Sequence, residues 1–336
     1  VSGRAGKAAL VAVVLMVVWG AFSPAQAYLK LGFLTSTGVK AIRWTRPIQY
    51  FVTNRDSTFV AATQLQTAVS KAFSTWAAVP RITVTHTFIG FTGAEPFVAD
   101  GVSVIGFRAR PELERTLAAA TFDLDTVTGE IIESDIFFNT AFNWSVASAG
   151  TPDRYDVESV GLHEIGHLLG LGHSGLGETE IRPTGGRRVL GKRAVMFPIA
   201  YPPGNIEDRT LEADDRAGIG DVYAFTTSVR ETGTISGKVT LAGAGIFGAH
   251  VTALNTRTGE MVGGFTLDKN GNFSIGGLVA GLYVVRVEPI DDADTTSFFD
   301  EETTVNLNFK PTYASTLVAV PAGGSGPAVE IRVVAK

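Results

Sequence analysis

The chain contains no cysteine. Its fold therefore uses no disulfide, and no thiolate can act as a nucleophile or hold a metal. Histidine is scarce, with five in 336 residues, and methionine scarcer, with three. Lysine and arginine form no long run, and the formal net charge is −5. That balance lacks the basic stripe of a nucleic-acid binder, so no nucleic-acid partner is expected. Beyond the N-terminal segment no long apolar run occurs, so no stable membrane insertion of the mature chain is expected. Any metal site must be built from His, Asp and Glu.

What is present is a globular composition, 45% apolar and 18% charged. Its length suggests about two domains plus a targeting segment. Arg4 and Lys7 precede an apolar run from Ala8 to Phe22. Pro24 breaks that run, and Ala25-Gln26-Ala27 follows. This order of basic, apolar and small-x-small segments predicts a signal peptide over residues 1–27, cleaved after Ala27. The expected location is extracellular or in the cell envelope or periplasm.

The pattern of the mature chain predicts an α+β domain over 28–229 and a small all-β domain over 230–336. Ile48 to Thr53 reads as a strand. Residues 58–77 carry Leu65, Ala68, Val69, Ala72, Phe73 and Trp76 at helical spacing. Strand-like stretches follow at 81–89, 102–108, 116–124 and 130–138, then helices at about 156–170 and 210–224. Residues 174–194, rich in Gly and Arg, read as a long loop. After about residue 230, short strand-like runs alternate with Gly, Asn and Asp turns, which suggests a β-sandwich.

Three of the five histidines fall in HEIGHLLGLGH, residues 163–173. His163 and His167 are four apart, so on a helix their imidazoles share one face and one ion. In a continuous helix His173 would point about 120° away from His167 and lie about 9 Å further along the axis. Gly170 can adopt a left-handed conformation, end the helix and let the chain turn His173 back to the metal. Three imidazoles leave one position of a tetrahedral zinc open for water, which is a catalytic arrangement. Glu164, beside the first ligand, is the expected base for that water. By chance this full pattern arises in roughly one chain in 10⁵. His86 and His250 stand alone in strand-like contexts and read as structural.

The eleven-residue motif resembles the metzincins, whose second hallmark is a methionine turn beneath the metal. Ala194-Val195-Met196-Phe197-Pro198 fits that turn, with Met196 at its centre. Ser174 after the third histidine, LEADDRAGIGDVY at 211–223, and Asp135 to Asn139 followed by Trp144 are similar to the matrixin branch, the matrix-metalloproteinase-like enzymes. The resemblance covers roughly 40–227 and is strongest at 160–174 and 194–198. It implies a twisted mixed sheet with three helices, one catalytic zinc, and a peptide or protein substrate aligned along an edge strand at 116–124. It also implies that residues 197 to about 206 wall the pocket for the residue after the cut. Departures are visible. Phe137 and Ala120 stand where further zinc-binding histidines would be, no cysteine-containing propeptide is present, and 174–194 is long. Pro198 takes the place of a ligand-like tyrosine found in other branches, so Tyr201 is not assigned to the metal.

Asp123, Asp125, Glu130 and Asp135 cluster in FDLDTVTGEIIESD. Hard oxygen donors close together suit calcium, which matrixins bind near this segment; the alternative is a polar turn between two strands. Residues 232–336 resemble the transthyretin-like sandwich called carboxypeptidase regulatory-like, read here as an accessory module. The function so implied is a secreted zinc endopeptidase. The alternatives are an exported binding or adhesion protein that uses the sandwich, and a zinc hydrolase of a non-peptide amide or ester.

Overall fold

The computed structural model describes residues 31–35, 38–183, 186–223 and 231–336, with 32–40 as backbone alone. The expected signal peptide and residues 224–230, where the domain boundary was expected, lie outside the described residues. The N-terminal unit opens with a hairpin of β1 (Gly32–Thr35) and β2 (Gly38–Ala41). Its main sheet contains β3 (Ile48–Thr53), β4 (His86–Thr92), β5 (Val104–Arg108), β6 (Ala118–Leu124) and β7 (Ile131–Asn139). The order across this sheet is β4-β3-β5-β7-β6. All neighbours are parallel except β6, which runs antiparallel to β7 and forms one edge.

Helix α1 (Ala62–Ala77) buries the stripe Leu65, Ala68, Val69, Ala72, Phe73 and Trp76. It starts later than the periodicity suggests because Asp56 accepts the Ala62 N–H at 2.7 Å and Gln64 the Ala61 N–H at 2.9 Å, which caps the helix there. Trp76 Nε1 donates to the Leu162 carbonyl at 2.8 Å, which locks α1 to the helix that carries the histidines. Two short strands, β8 (Trp144–Ser145) and β9 (Tyr155–Asp156), lead into that helix, α2 (Val157–Leu168).

The stretch after the third histidine is not a loop throughout. It forms an antiparallel hairpin of β10 (Gly177–Ile181) and β11 (Arg187–Lys192). A 3-10 turn (Glu207–Arg209) and helix α3 (Ala213–Tyr223) complete the unit.

The C-terminal unit is a two-sheet sandwich. In one sheet β12 (Gly233–Leu241) pairs with β13 (Ala244–Gly245), β16 (Asn272–Leu278) and β20 (Val329–Val333). In the other, β14 (His250–Asn255) lies between β15 (Met261–Phe265) and β17 (Gly281–Glu288). The short strands β18 (Thr312–Tyr313) and β19 (Val318–Val320) add to β17. Ile235, Val239 and Ile275 of the first sheet are buried with Val251, Ala253 and Val285 of the second. The same cluster of buried side chains continues through Ile219 and Val222 of α3 to Ile165 of α2. The two units therefore share one core. Among the described residues no helix is long and apolar enough to cross a membrane.

Candidate metal centre

Both ends of α2 are built to position the histidines. At its start, Asp156 accepts the Ser159 N–H at 2.9 Å and the Ser159 hydroxyl at 2.8 Å, and pairs with Arg209 at 2.6 Å. At its end, Gly170 takes φ +90°. Its N–H donates to the His167 carbonyl at 2.7 Å, and the Leu171 N–H to the Gly166 carbonyl at 3.0 Å. This pair of bonds is a Schellman stop. A side chain at 170 would sit 2.4 Å from the Ile42 carbonyl oxygen, so space as well as conformation calls for glycine. The chain reverses there and returns His173, as the spacing predicts.

The Nδ1 atoms of His163, His167 and His173 lie 2.7, 2.8 and 2.5 Å from the carbonyl oxygens of Val195, Leu171 and Ser297. A carbonyl only accepts, so in each ring Nδ1 carries the proton and Nε2 carries a lone pair. The Nε2 of His167 is 3.1 Å from that of His163 and 3.2 Å from that of His173. Lone pairs so placed repel unless a cation lies between them. Zinc–nitrogen bonds of about 2.05 Å in a tetrahedron put nitrogens about 3.3 Å apart, so the donor set fits zinc. Burial is the main reason each ring titrates below the usual histidine range. His163 is lowered further by its two neighbours, and His167 is pushed down to about 3. All three rings are neutral at pH 7, as ligands must be.

Glu164 is buried, and burial pushes its carboxyl up to about 8. Met196 packs against α2 at Gly166. A Cβ on Gly166 would meet the Met196 sulfur at 2.2 Å and Trp76 at 2.9 Å, so the glycine between His163 and His167 makes room for the turn. The turn also holds this segment directly. The Val195 carbonyl holds His163, and the Met196 carbonyl accepts the Ser174 N–H at 2.9 Å.

Asp215 on α3 is the residue that sequence reasoning missed here. Its buried carboxylate accepts the N–H groups of Val195 and Met196 at 2.9 and 3.1 Å. The only sequence signal is an acidic pair where the helix should face the core. Its neighbour Asp214 accepts the Gly263 N–H of the sandwich at 2.8 Å. Burial, then the charge of Asp215, pushes Asp214 up to about 8.

Among the described residues, His163, His167 and His173 form the only group of three or more potential ligands close enough to share an ion. The acidic candidates for calcium are engaged separately. Asp125 caps its own turn through the Val127 and Thr128 N–H groups, and Glu130 pairs with Arg46 at 3.5 Å. Asp135 is buried beneath residues 97–104, where it accepts the N–H groups of Phe97, Val98 and Val104. Asp123 lies on β6 in register with Glu133. Phe137 is buried, with its ring edge-on to Phe97 at 4.7 Å. His86 stacks on Phe73 at 5.0 Å, and His250 is buried beside Glu288, so neither joins the centre. Tyr201 lies under the Lys192 ammonium group at 5.2 Å. Phe197, expected in the pocket wall, is instead buried among Val189, Phe265, Ile290, Phe298 and Phe299, between the hairpin and the sandwich.

Residues 43–224, over half of the chain, match the family described as Matrixin. The chain belongs to the matrixin family. Residues 234–312 of this matrixin match the carboxypeptidase regulatory-like domain. It is 30% identical over 175 residues to Metalloendoproteinase 1 of Glycine max, covering 48% of this chain and 46% of that one. It is 29% identical over 202 residues to Metalloendoproteinase 4-MMP of Arabidopsis thaliana, covering 54% and 48%. It is 33% identical over 146 residues to Metalloendoproteinase 2-MMP of the same plant, covering 39% and 33%. The matrixin thus spans about half or less of the length of these curated relatives. The α+β unit with three helices, followed by a sandwich, agrees with both family matches.

Proposed function

We propose that this matrixin is an exported zinc endopeptidase with Glu164 as its base. The observation that carries the proposal is the convergence of three Nε2 lone pairs, each fixed by an Nδ1–H bond to a carbonyl, beside a buried carboxyl on the same helix. His163, His167 and His173 would hold zinc through Nε2. Zinc so held supplies Lewis acidity, which acidifies a water molecule and polarises a carbonyl.

The remaining work falls to the protein. An extended peptide binds along the outer edge of β6, which has no strand partner among the described residues, by main-chain hydrogen bonds. Glu164 takes a proton from the attacking water and delivers it to the amide nitrogen as the C–N bond breaks.

The test combines metal content with cleavage. Purified residues 28–336 should contain about one zinc per chain and cut an unfolded protein, and a chelator should stop the cutting. Zinc without cleavage of protein would favour a binding role or a non-peptide substrate. A folded chain that takes up no zinc would sink the proposal.

A further inference from the structure

We infer that the C-terminal sandwich is a working part of the metal centre: the main-chain carbonyl of Ser297 positions the third ligand, His173. The inference rests on the reading of the three histidines as zinc ligands. His163 and His167 are oriented by carbonyls of the N-terminal unit, Val195 and Leu171. His173 is oriented by a carbonyl 124 residues further along the chain, at 2.5 Å. Partners of this kind fix the tautomer and the ring plane of a ligand, and their loss typically weakens metal binding about 10–100-fold.

The carbonyl is held in place by its own segment. Ser297 ends a 3-10 turn, Thr295–Ser297, in which its N–H donates to the Asp294 carbonyl at 2.8 Å. The N–H groups of Phe298 and Phe299 both return to the Thr295 carbonyl, at 3.0 and 2.9 Å. Both phenyl rings are buried, in the cluster that also holds Phe197 of the methionine turn and Val189 of the hairpin. The Phe298 ring stands edge-on to the His173 imidazole at 6.4 Å. The turn is therefore wedged against the ligand by apolar packing from both units.

The β10–β11 hairpin is the arm that fastens this arrangement. The Thr179 N–H donates to an Asp292 carboxylate oxygen at 2.7 Å, and its hydroxyl to the Asp292 carbonyl at 2.6 Å. Arg187 donates to the Asp291 carbonyl at 2.7 Å. The contact zone begins only two residues after the ligand. Gly175 packs so closely on His250 that a Cβ there would lie 2.9 Å from its ring, and Leu176 packs on Gly263. The segment that carries His173 is thus clamped between the methionine turn and the sandwich.

The experiment uses the full chain in three forms: wild type, Phe298→Ala and Phe298→Leu. Phe298→Ala removes the wedge that seats the turn, and Phe298→Leu keeps most of it. Apparent zinc affinity is measured by competition with a chelator, and the ligand field by the visible spectrum after cobalt substitution. Far-UV circular dichroism reports the fold. We expect Phe298→Ala to keep its secondary structure but to bind zinc about 10–100-fold more weakly, with altered cobalt bands. Phe298→Leu should restore both. Equal zinc affinity and the same cobalt spectrum in all three would overturn the inference and leave the metal centre standing. Should Phe298→Ala fail to fold, Thr179→Ala, which loosens the arm alone, is judged by the same two readings. A wild-type chain that binds no zinc would overturn the metal reading itself, and this inference with it.

Discussion

Asp215 holds Met196 by its backbone. One carboxylate oxygen takes the Met196 N–H at 3.1 Å, and the other takes those of Val195 and Glu212, each at 2.9 Å. The Val195 carbonyl in turn accepts His163. A single side chain on α3 therefore fixes the turn at 195–196 and, through the Val195 carbonyl, the ring of His163. Asp215→Ala leaves buried N–H groups without an acceptor and should cost about 3 kcal/mol in denaturant unfolding. Asp215→Asn, which keeps one acceptor oxygen, should cost less. An Asp215→Ala chain with a wild-type midpoint would show that the turn needs no such support.

Glu164→Gln preserves shape and removes the carboxylate proposed as the base. Turnover of an unfolded protein substrate should fall by about 100-fold or more, with zinc content unchanged. Near-normal turnover in this variant would assign the base elsewhere.

Gly170→Ala tests the helix stop. The left-handed backbone and the nearby Ile42 carbonyl should make this substitution cost more than about 1 kcal/mol. Gly191→Ala is the control, since nothing lies within 4 Å of a Cβ built there. It should leave the melting temperature almost unchanged. Equal melting temperatures for the two variants would remove the steric account.

The pH dependence of stability should carry the signature of Asp214. Its folded pKa, about 8, lies above the ordinary value of 3.8, so between these limits the folded state binds the extra proton. The corresponding stability is fully present below about pH 4 and is lost as pH rises through 8. Wild type should melt at a lower temperature at pH 9 than at pH 6. Asp214→Asn resembles the protonated acid and can still accept the Gly263 N–H, so its drop should be smaller. Identical drops in the two proteins would place the titrating group elsewhere.

Metal removal should be visible in stability as well as in activity. Three facing lone pairs disfavour the empty site. Zinc that binds only the folded state, at a thousandfold excess over its Kd, should add about 4 kcal/mol. Calorimetry with and without a chelator measures this, and superimposable melting curves would mean that no ion binds there.

The parts of this centre that were legible in the sequence are those set by neighbours in the chain. His163 and His167 are one helical turn apart, Gly170 ends the helix, and Met196 follows in a recognisable turn. What was hidden depends on distant partners. Ser297 contributes only a carbonyl, which no side chain advertises. The hairpin at 177–192 is largely polar, and its Thr179 and Arg187 bind the sandwich, so it read as a loop. Phe197 was expected at the start of the pocket wall, but it is buried among aromatic residues about 70–100 positions further on. Helix α1 was legible because its apolar residues recur at helical spacing, and the sandwich because short strand-like runs alternate with turns, whereas the mixed sheet with three helices was implied by the resemblance. The shared core between the units left no such trace.

The long reach from His173 to Ser297 also sets an order in time. A chain made from its N-terminus has all three histidines in hand well before the carbonyl that orients the last of them. At about 5–20 residues per second, the 124 intervening residues represent on the order of ten seconds of synthesis. During that interval the nascent protein carries the three histidines but not the finished cradle. Completion of the centre thus coincides with the folding of the sandwich, and a chain interrupted before residue 297 would leave His173 without the carbonyl that holds its ring.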